Sequence, residues 1–168
     1  MSAASPSRTR VTSKLNPPTS QAAQVPRTHV VDKVLGASAA RMVLVRAPAG
    51  FGKTTVMSQC MARMEEEGTV TAWLTLDEAD NDVSRFLWYL NAAVSQLTED
   101  GESSPSPEQR TFTSTGDAAL EIVGRLSEHQ SAFALFLDDF ERVQDTAVLG
   151  LIREIIDHRP RRGQFVIG

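Results

Sequence analysis

The stretch Ala47-Pro48-Ala49-Gly50-Phe51-Gly52-Lys53-Thr54 decides the fold of this 168-residue chain. A short apolar run, Met42 to Val45, precedes it, and a segment with apolar residues at helical spacing follows it, from about Lys53 to Glu67. The stretch fits the pattern of a phosphate-binding loop, or P-loop, except that alanine stands in place of the first glycine. We therefore predict a buried strand, a P-loop and a helix in this order.

Each part of the loop has a chemical task in binding phosphate. Glycines at positions 50 and 52 can adopt positive φ, so that successive N–H groups point inward and meet an anion at the positive end of the next helix. The ammonium group of Lys53 can reach the β- and γ-phosphates, and the hydroxyl of Thr54 can ligate Mg²⁺. The sequence thus predicts nucleotide binding. The expected contacts are Ala49, Gly50, Phe51, Gly52, Lys53, Thr54 and Thr55.

A second acidic element follows the apolar stretch from Ala132 to Leu137, which is typical of a buried strand. Ligands in open α/β sheets bind at the carboxyl ends of the strands, and a P-loop needs a carboxylate there to orient its metal. We expect Asp138 to hold Mg²⁺ through water and Asp139 to be the catalytic general base, with Glu141 as a second candidate for the base. Two aspartates after a strand are also a common turn signal.

Strands and helices alternate along the chain, which indicates an α/β fold with a parallel sheet and helices on both faces. The predicted strand order is 2-3-4-1, because the last strand of such P-loop folds inserts between the first strand and the acidic one. This order places the end of the chain in the middle of the sheet, and we expect the domain to be truncated after its fourth strand. The predicted strands are 42–45, 69–76, 132–137 and 164–167.

Three segments differ in composition. Residues 1–26 are rich in Ser, Pro and Thr and are predicted to be an extended lead-in, with order beginning near Thr28. Residues 27–168 are predicted to be the P-loop domain, incomplete at its C-terminus. Within it, residues 98–117 are rich in Pro, Ser and Glu and are expected to form a mobile surface loop.

Charge is spread unevenly. Residues 1–33 carry five basic side chains and one acidic one, whereas the rest of the chain carries 12 basic and 20 acidic ones. An acidic body is unsuited to clamping nucleic acid. The basic start is open to three interpretations: an arm that touches phosphates, an organelle transit peptide, or a solvated tail.

The composition, with 41% hydrophobic and 23% charged residues, is typical of a soluble globular domain. Cys60 is the single cysteine, so no internal disulfide can form and a reducing compartment is expected. Apolar runs are far shorter than the roughly 18 residues that a membrane-spanning helix needs. We therefore expect a cytoplasmic protein that is neither secreted nor inserted into a membrane.

Several motifs together resemble one family. These are the P-loop with its strand (Leu44 to Thr55), the block WLTLDEADND (Trp73 to Asp82), the triplet Asp138-Asp139-Phe140, and the opening Ser13 to Pro18. They are similar to the N-terminal nucleotide-binding domain of MalT-like LuxR-family transcriptional regulators, which belong to the STAND class of P-loop ATPases. The similarity of the opening argues against a transit peptide.

The resemblance implies a function for the chain. Members of this family bind ATP or ADP and use it as a switch for self-association, and a separate helix-turn-helix binds DNA. We therefore expect a signalling module that binds nucleotide and Mg²⁺, with slow or absent ATP hydrolysis and no direct contact with nucleic acid. The family also implies that Pro26 and Arg27 lie near the adenine, although both could equally be a structural lead-in.

Two other functions remain open at this point. The length also fits a small P-loop kinase that phosphorylates a metabolite, although no usable Arg-rich lid is visible. A third interpretation is an interaction fragment whose P-loop no longer binds. For the block from Trp73 to Asp82 we expect a structural role, with Trp73 in the core and the acids in a solvated loop and a helix cap.

Overall fold

The computed structural model describes residues 13–19, 25–48, 50–98 and 114–168. Ala49, most of the lead-in and most of the loop predicted at 98–117 lie outside the described residues. The strands are β1 (Met42–Leu44), β2 (Val70–Thr75), β3 (Phe133–Asp138) and β4 (Gly163–Ile167). The helices are α1 (Thr28–Gly36), α2 (Lys53–Glu66), α3 (Val83–Leu97), α4 (Thr115–Glu128) and α5 (Thr146–His158).

Two short 3₁₀ helices lie after strands. We call Glu78–Asn81, between β2 and α3, the Asn81 turn, and Phe140–Arg142, between β3 and α5, the Glu141 turn. Both follow the carboxyl end of a strand, which is the edge of the sheet where the P-loop also begins.

The four strands form one parallel sheet in the order β1-β4-β3-β2. This is the predicted order read from the opposite edge, so the prediction is confirmed. Ile167 at the end of β4 pairs with Leu44 of β1 on one side and with Leu137 of β3 on the other. The ends of β1, β4 and β3 therefore lie side by side, which brings the P-loop close to the acidic strand.

Helices cover both faces of the sheet, as predicted. Successive side chains of a strand point to opposite faces. One face carries Trp73 and Phe136, whose rings stack with centroids 5.7 Å apart, and it packs against α1 and α2. The other face carries Leu74 and Leu135 and packs against α3, α4 and α5. Trp73 is fully buried, which confirms its expected place in the core.

The helices begin close to the positions expected from their capping residues. The sequence offers Asp82 and Ser84 as caps of α3, and it is Asp82 that caps the helix by accepting a hydrogen bond from the backbone N–H of Arg85. Helix α4 starts at Thr115, within the segment predicted as a loop, because Ser114 caps it by accepting from the N–H of Asp117. The last three residues of the predicted loop, 115–117, therefore belong to α4.

A buried ionic cluster joins the start of the chain to the Asn81 turn. The ammonium of Lys14 lies 2.5 Å from Asp80 Oδ2 and 3.0 Å from Asp77 Oδ2, and it sits 4.4 Å from the ring centre of Tyr89. Asp80 is completely buried, so the expectation of a solvated acid is wrong at this position. Asp80 is buried because Lys14 neutralises its charge and because it also accepts from the N–H of Asp77, which closes a capping box. Lys14 lies before Thr28, the position near which the sequence predicts order to begin, so the sequence does not predict the burial of this lysine.

No helix within the described ranges is both long and apolar enough to span a bilayer.

Candidate functional site

The P-loop has the backbone conformation that its glycines predict. Gly50 has φ of 81° and Gly52 has φ of 82°, in the left-handed region that other residues rarely adopt. Gly52 is the N-cap of α2, and its carbonyl accepts from the N–H of Val56. The loop therefore leads directly onto the positive end of a helix of 14 residues, which favours an anion.

Thr54 and Asp138 form the centre of the site. The hydroxyl of Thr54 donates to the carboxylate of Asp138, at 2.8 Å from Oδ2 and 3.1 Å from Oδ1. Asp138 is 1% exposed, and this burial raises its pKa, an effect that the bond from Thr54 opposes and the adjacent charge of Asp139 reinforces. The sequence predicts that both side chains hold Mg²⁺, and this role stays a prediction.

The oxygen atoms of Thr54 and Asp138 suit a magnesium ion. Mg²⁺ prefers hard oxygen ligands, keeps several waters, and binds through one or two protein groups together with substrate phosphates. A hydroxyl and a carboxylate within hydrogen-bond distance, beside the ammonium of Lys53, form such a donor set. The residues present therefore fit a magnesium–nucleotide complex.

Lys53 forms an ion pair with Glu141. Its Nζ lies 2.9 Å from Glu141 Oε1, and the hydrogen bond from Lys53 lowers the pKa of the Glu141 carboxyl. Glu141 reaches the lysine because Asp139 adopts φ of 56°, a left-handed conformation that reverses the chain directly after β3. The Phe140 N–H then donates to Gly168 O, which fixes the Glu141 turn to the end of β4.

The sequence assigned Glu141 only a secondary role as a candidate base. Its contact with the P-loop lysine has no signal in the sequence beyond a third acid shortly after β3. Asp139 lies beside Asp138 at the same edge of the sheet, and its assignment as general base stays a prediction. Phe51 is 67% exposed at the tip of the P-loop, and Thr55 is partly buried in the first turn of α2.

Gln59 binds the segment that contains Pro26 and Arg27. Its side-chain amide donates to Val25 O at 3.1 Å and accepts from the Arg27 N–H at 2.9 Å. The segment is exposed but is held on α2, six residues beyond Lys53. Sequence reasoning missed Gln59, because a glutamine on a helix carries no motif. Contact of Pro26 or Arg27 with a nucleotide stays a prediction.

Comparison with known proteins agrees with this geometry. Residues 21–167 match the model of the AAA ATPase domain. Two curated relatives, each named HTH-type transcriptional regulator MalT and each from a strain of Klebsiella pneumoniae, are 31% identical over 159 residues. The matched region is 94% of this chain but 17% of each relative. The chain therefore spans about a sixth of the length of these relatives. The recognition of a MalT-like domain and the prediction of an α/β P-loop fold are confirmed.

Proposed function

Because this chain belongs to the AAA ATPase domain family, we propose that it binds ATP or ADP and is the nucleotide-dependent switch of a MalT-like transcriptional regulator. The observation that carries the proposal is the contact of Thr54 with the buried Asp138, directly after the two left-handed glycines of the P-loop. The P-loop, which would bind phosphate, therefore lies next to the pair of Thr54 and Asp138, whose oxygens suit Mg²⁺.

Each residue has a defined task in this proposal. The N–H groups around Gly50 and Gly52 and the first turn of α2 bind the phosphates, and Lys53 neutralises the terminal ones. Thr54 and Asp138 hold Mg²⁺, Asp138 through water. The bound ion would neutralise phosphate charge and fix the orientation of the terminal phosphates. Ala49, Phe51 and Thr55 complete the contacts of the loop.

Hydrolysis is assigned to Asp139, which would orient the attacking water and accept its proton. We propose that this step is slow or absent, because a switch must keep each nucleotide state long enough to be read. The chain is then at most a weak ATPase. Pro26 and Arg27, held on α2 by Gln59, are proposed to lie beside the base of the nucleotide.

The bound nucleotide would act through self-association of the complete regulator. The two relatives are named as HTH-type regulators, so DNA binding is assigned to a part of such a protein other than this chain, whose body is acidic. We propose that the complete protein works in the cytoplasm, where a bacterial regulator meets its DNA, and that this chain contacts neither nucleic acid nor membrane.

The substitution Asp138→Asn tests the metal assignment. It keeps the size of the side chain but removes the charge that holds Mg²⁺, so we expect the affinity for Mg²⁺·ATP to fall about tenfold. Binding of ADP without Mg²⁺ should stay within about twofold, because removal of one carboxylate lessens its repulsion of phosphate. Isothermal titration calorimetry of both ligands measures the difference.

The matched control is Asp157→Asn, since Asp157 is an exposed aspartate at the far end of α5 and pairs only weakly with Arg153. Equal losses of affinity for Mg²⁺·ATP and Mg²⁺-free ADP in Asp138→Asn would contradict the metal role.

Incubation of the chain with ATP and candidate acceptors distinguishes a nucleotide switch from a metabolite kinase, because only a kinase would accumulate a phosphorylated acceptor.

A further inference from the structure

We propose that Glu141 competes with the phosphates of a nucleotide for the ammonium group of Lys53, so that the chain carries its own inhibitor of nucleotide binding. The inference rests on the proposed nucleotide site and adds a regulation to it. Its basis is the 2.9 Å contact between Lys53 Nζ and Glu141 Oε1, because Lys53 is the P-loop lysine whose task is to bind phosphate.

The exposure of the two side chains shows which one can leave. Lys53 is 17% exposed and is fixed in the first turn of α2, whereas Glu141 is 58% exposed. Glutamate can therefore turn into solvent at little cost, while the lysine stays where the P-loop needs it. A phosphate carries more charge than a carboxylate and binds lysine with short, charge-assisted hydrogen bonds, so it can displace Glu141.

The backbone of the Glu141 turn is held in place on two sides. The Phe140 N–H donates to Gly168 O at 2.8 Å, and the side-chain amide of Asn81 donates to Arg142 O at 3.0 Å. Only the side chain of Glu141 needs to move for the exchange. The side-chain oxygen of Asn81 also accepts from the N–H groups of Gln144 and Asp145. The Asn81 turn, which follows β2, is therefore connected to the start of α5.

Displacement has a consequence beyond affinity. Once the phosphates take Lys53, the carboxylate of Glu141 becomes an unpaired negative charge on an exposed turn, next to the ion pair of Arg142 with Glu78. The surface charge of the Glu141 turn then differs between the nucleotide-free and the nucleotide-bound chain. Such a local electrostatic change is the kind of signal that a partner surface can read.

A competitor and a general base respond differently to substitution. Removal of a general base lowers the rate of hydrolysis and leaves the nucleotide affinity unchanged. Removal of a competitor raises the nucleotide affinity. Equilibrium binding therefore decides between the two roles of Glu141 without any measurement of turnover.

The test measures ATP and ADP affinity by calorimetry on the 168-residue chain and three variants. Glu141→Gln removes the charge, and Glu141→Asp keeps the charge but shortens the side chain by one methylene. Glu78→Gln is the control, since it removes an exposed charge from the neighbouring Asn81 turn without touching Lys53. Because an exposed ion pair is worth up to about 1 kcal/mol, we expect nucleotide affinity to rise about three- to fivefold in Glu141→Gln. The affinity should rise less in Glu141→Asp and stay unchanged in the control.

Unchanged or weaker binding by Glu141→Gln, with the unmodified chain binding normally, would overturn the competition alone. Tighter binding by Glu141→Gln but not by Glu141→Asp would also overturn it, because long-range repulsion would then explain the gain. If neither the unmodified chain nor any variant binds nucleotide, the proposed function itself fails and the competition fails with it.

Discussion

Replacing Asp80 with alanine is expected to lower the free energy of unfolding by about 3 kcal/mol, because it leaves the charge of Lys14 without its closest partner in the interior. Lys14 is 8% exposed and Asp80 is fully buried, so water cannot replace the lost contact. Asp77, which is half-exposed, remains as a partner and keeps the loss at the lower end of the range for buried pairs. Urea unfolding followed by circular dichroism measures the change.

Asp82→Ala is the matched control for this prediction. Asp82 is an exposed aspartate two residues further along, and it caps α3 by accepting from the Arg85 N–H. Loss of a cap costs about 1 kcal/mol. If Asp80→Ala costs no more than Asp82→Ala, the buried cluster does not contribute as described.

Replacing Lys53 with alanine is expected to weaken ATP binding about 10- to 100-fold, which corresponds to the loss of hydrogen bonds between charged groups. The substitution removes the P-loop cation whose charge acts on Asp138, and it leaves the carboxylate of Glu141 without its lysine partner beside the proposed phosphate site. Both effects act in the same direction. Calorimetry or competition with a fluorescent ATP analogue measures the loss.

Lys33→Ala is the control for Lys53→Ala. Lys33 is an exposed lysine in the last turn of α1, so the control removes the same charge without changing the P-loop. Circular dichroism of both variants verifies that they are folded. Equal ATP binding by Lys53→Ala and by the unmodified chain would remove Lys53 from the site.

Features that depend on local chemistry could be predicted from the sequence. Two glycines two residues apart before a lysine predict a left-handed turn, since glycine adopts positive φ without steric cost, and Gly50 and Gly52 both have it. The apolar run that ends just before Asp138 predicts a buried strand, and the alternation of strands and helices predicts a parallel sheet. The strand order could be predicted only because the P-loop places the chain among folds whose last strand inserts between the first and the acidic one.

Contacts between distant parts of the chain could not be predicted in the same way. Lys53 and Glu141 are 88 residues apart, and Lys14 and Asp80 are 66 apart. Each pair meets only because the folded sheet brings two turns together, and a lone charged residue carries no sign of its partner. For this reason the sequence predicts Asp80 to lie in solvent, since acidic side chains are mostly exposed unless they are paired.

Titration of the nucleotide-free 168-residue chain with ATP in the presence of Mg²⁺ tests the central claim most directly. We expect saturable binding of one nucleotide per chain, measured by isothermal titration calorimetry, with a clear loss of affinity in Lys53→Ala. An absence of binding at millimolar ATP, in protein that circular dichroism shows to be folded, would contradict the assignment of this chain as a nucleotide-binding switch.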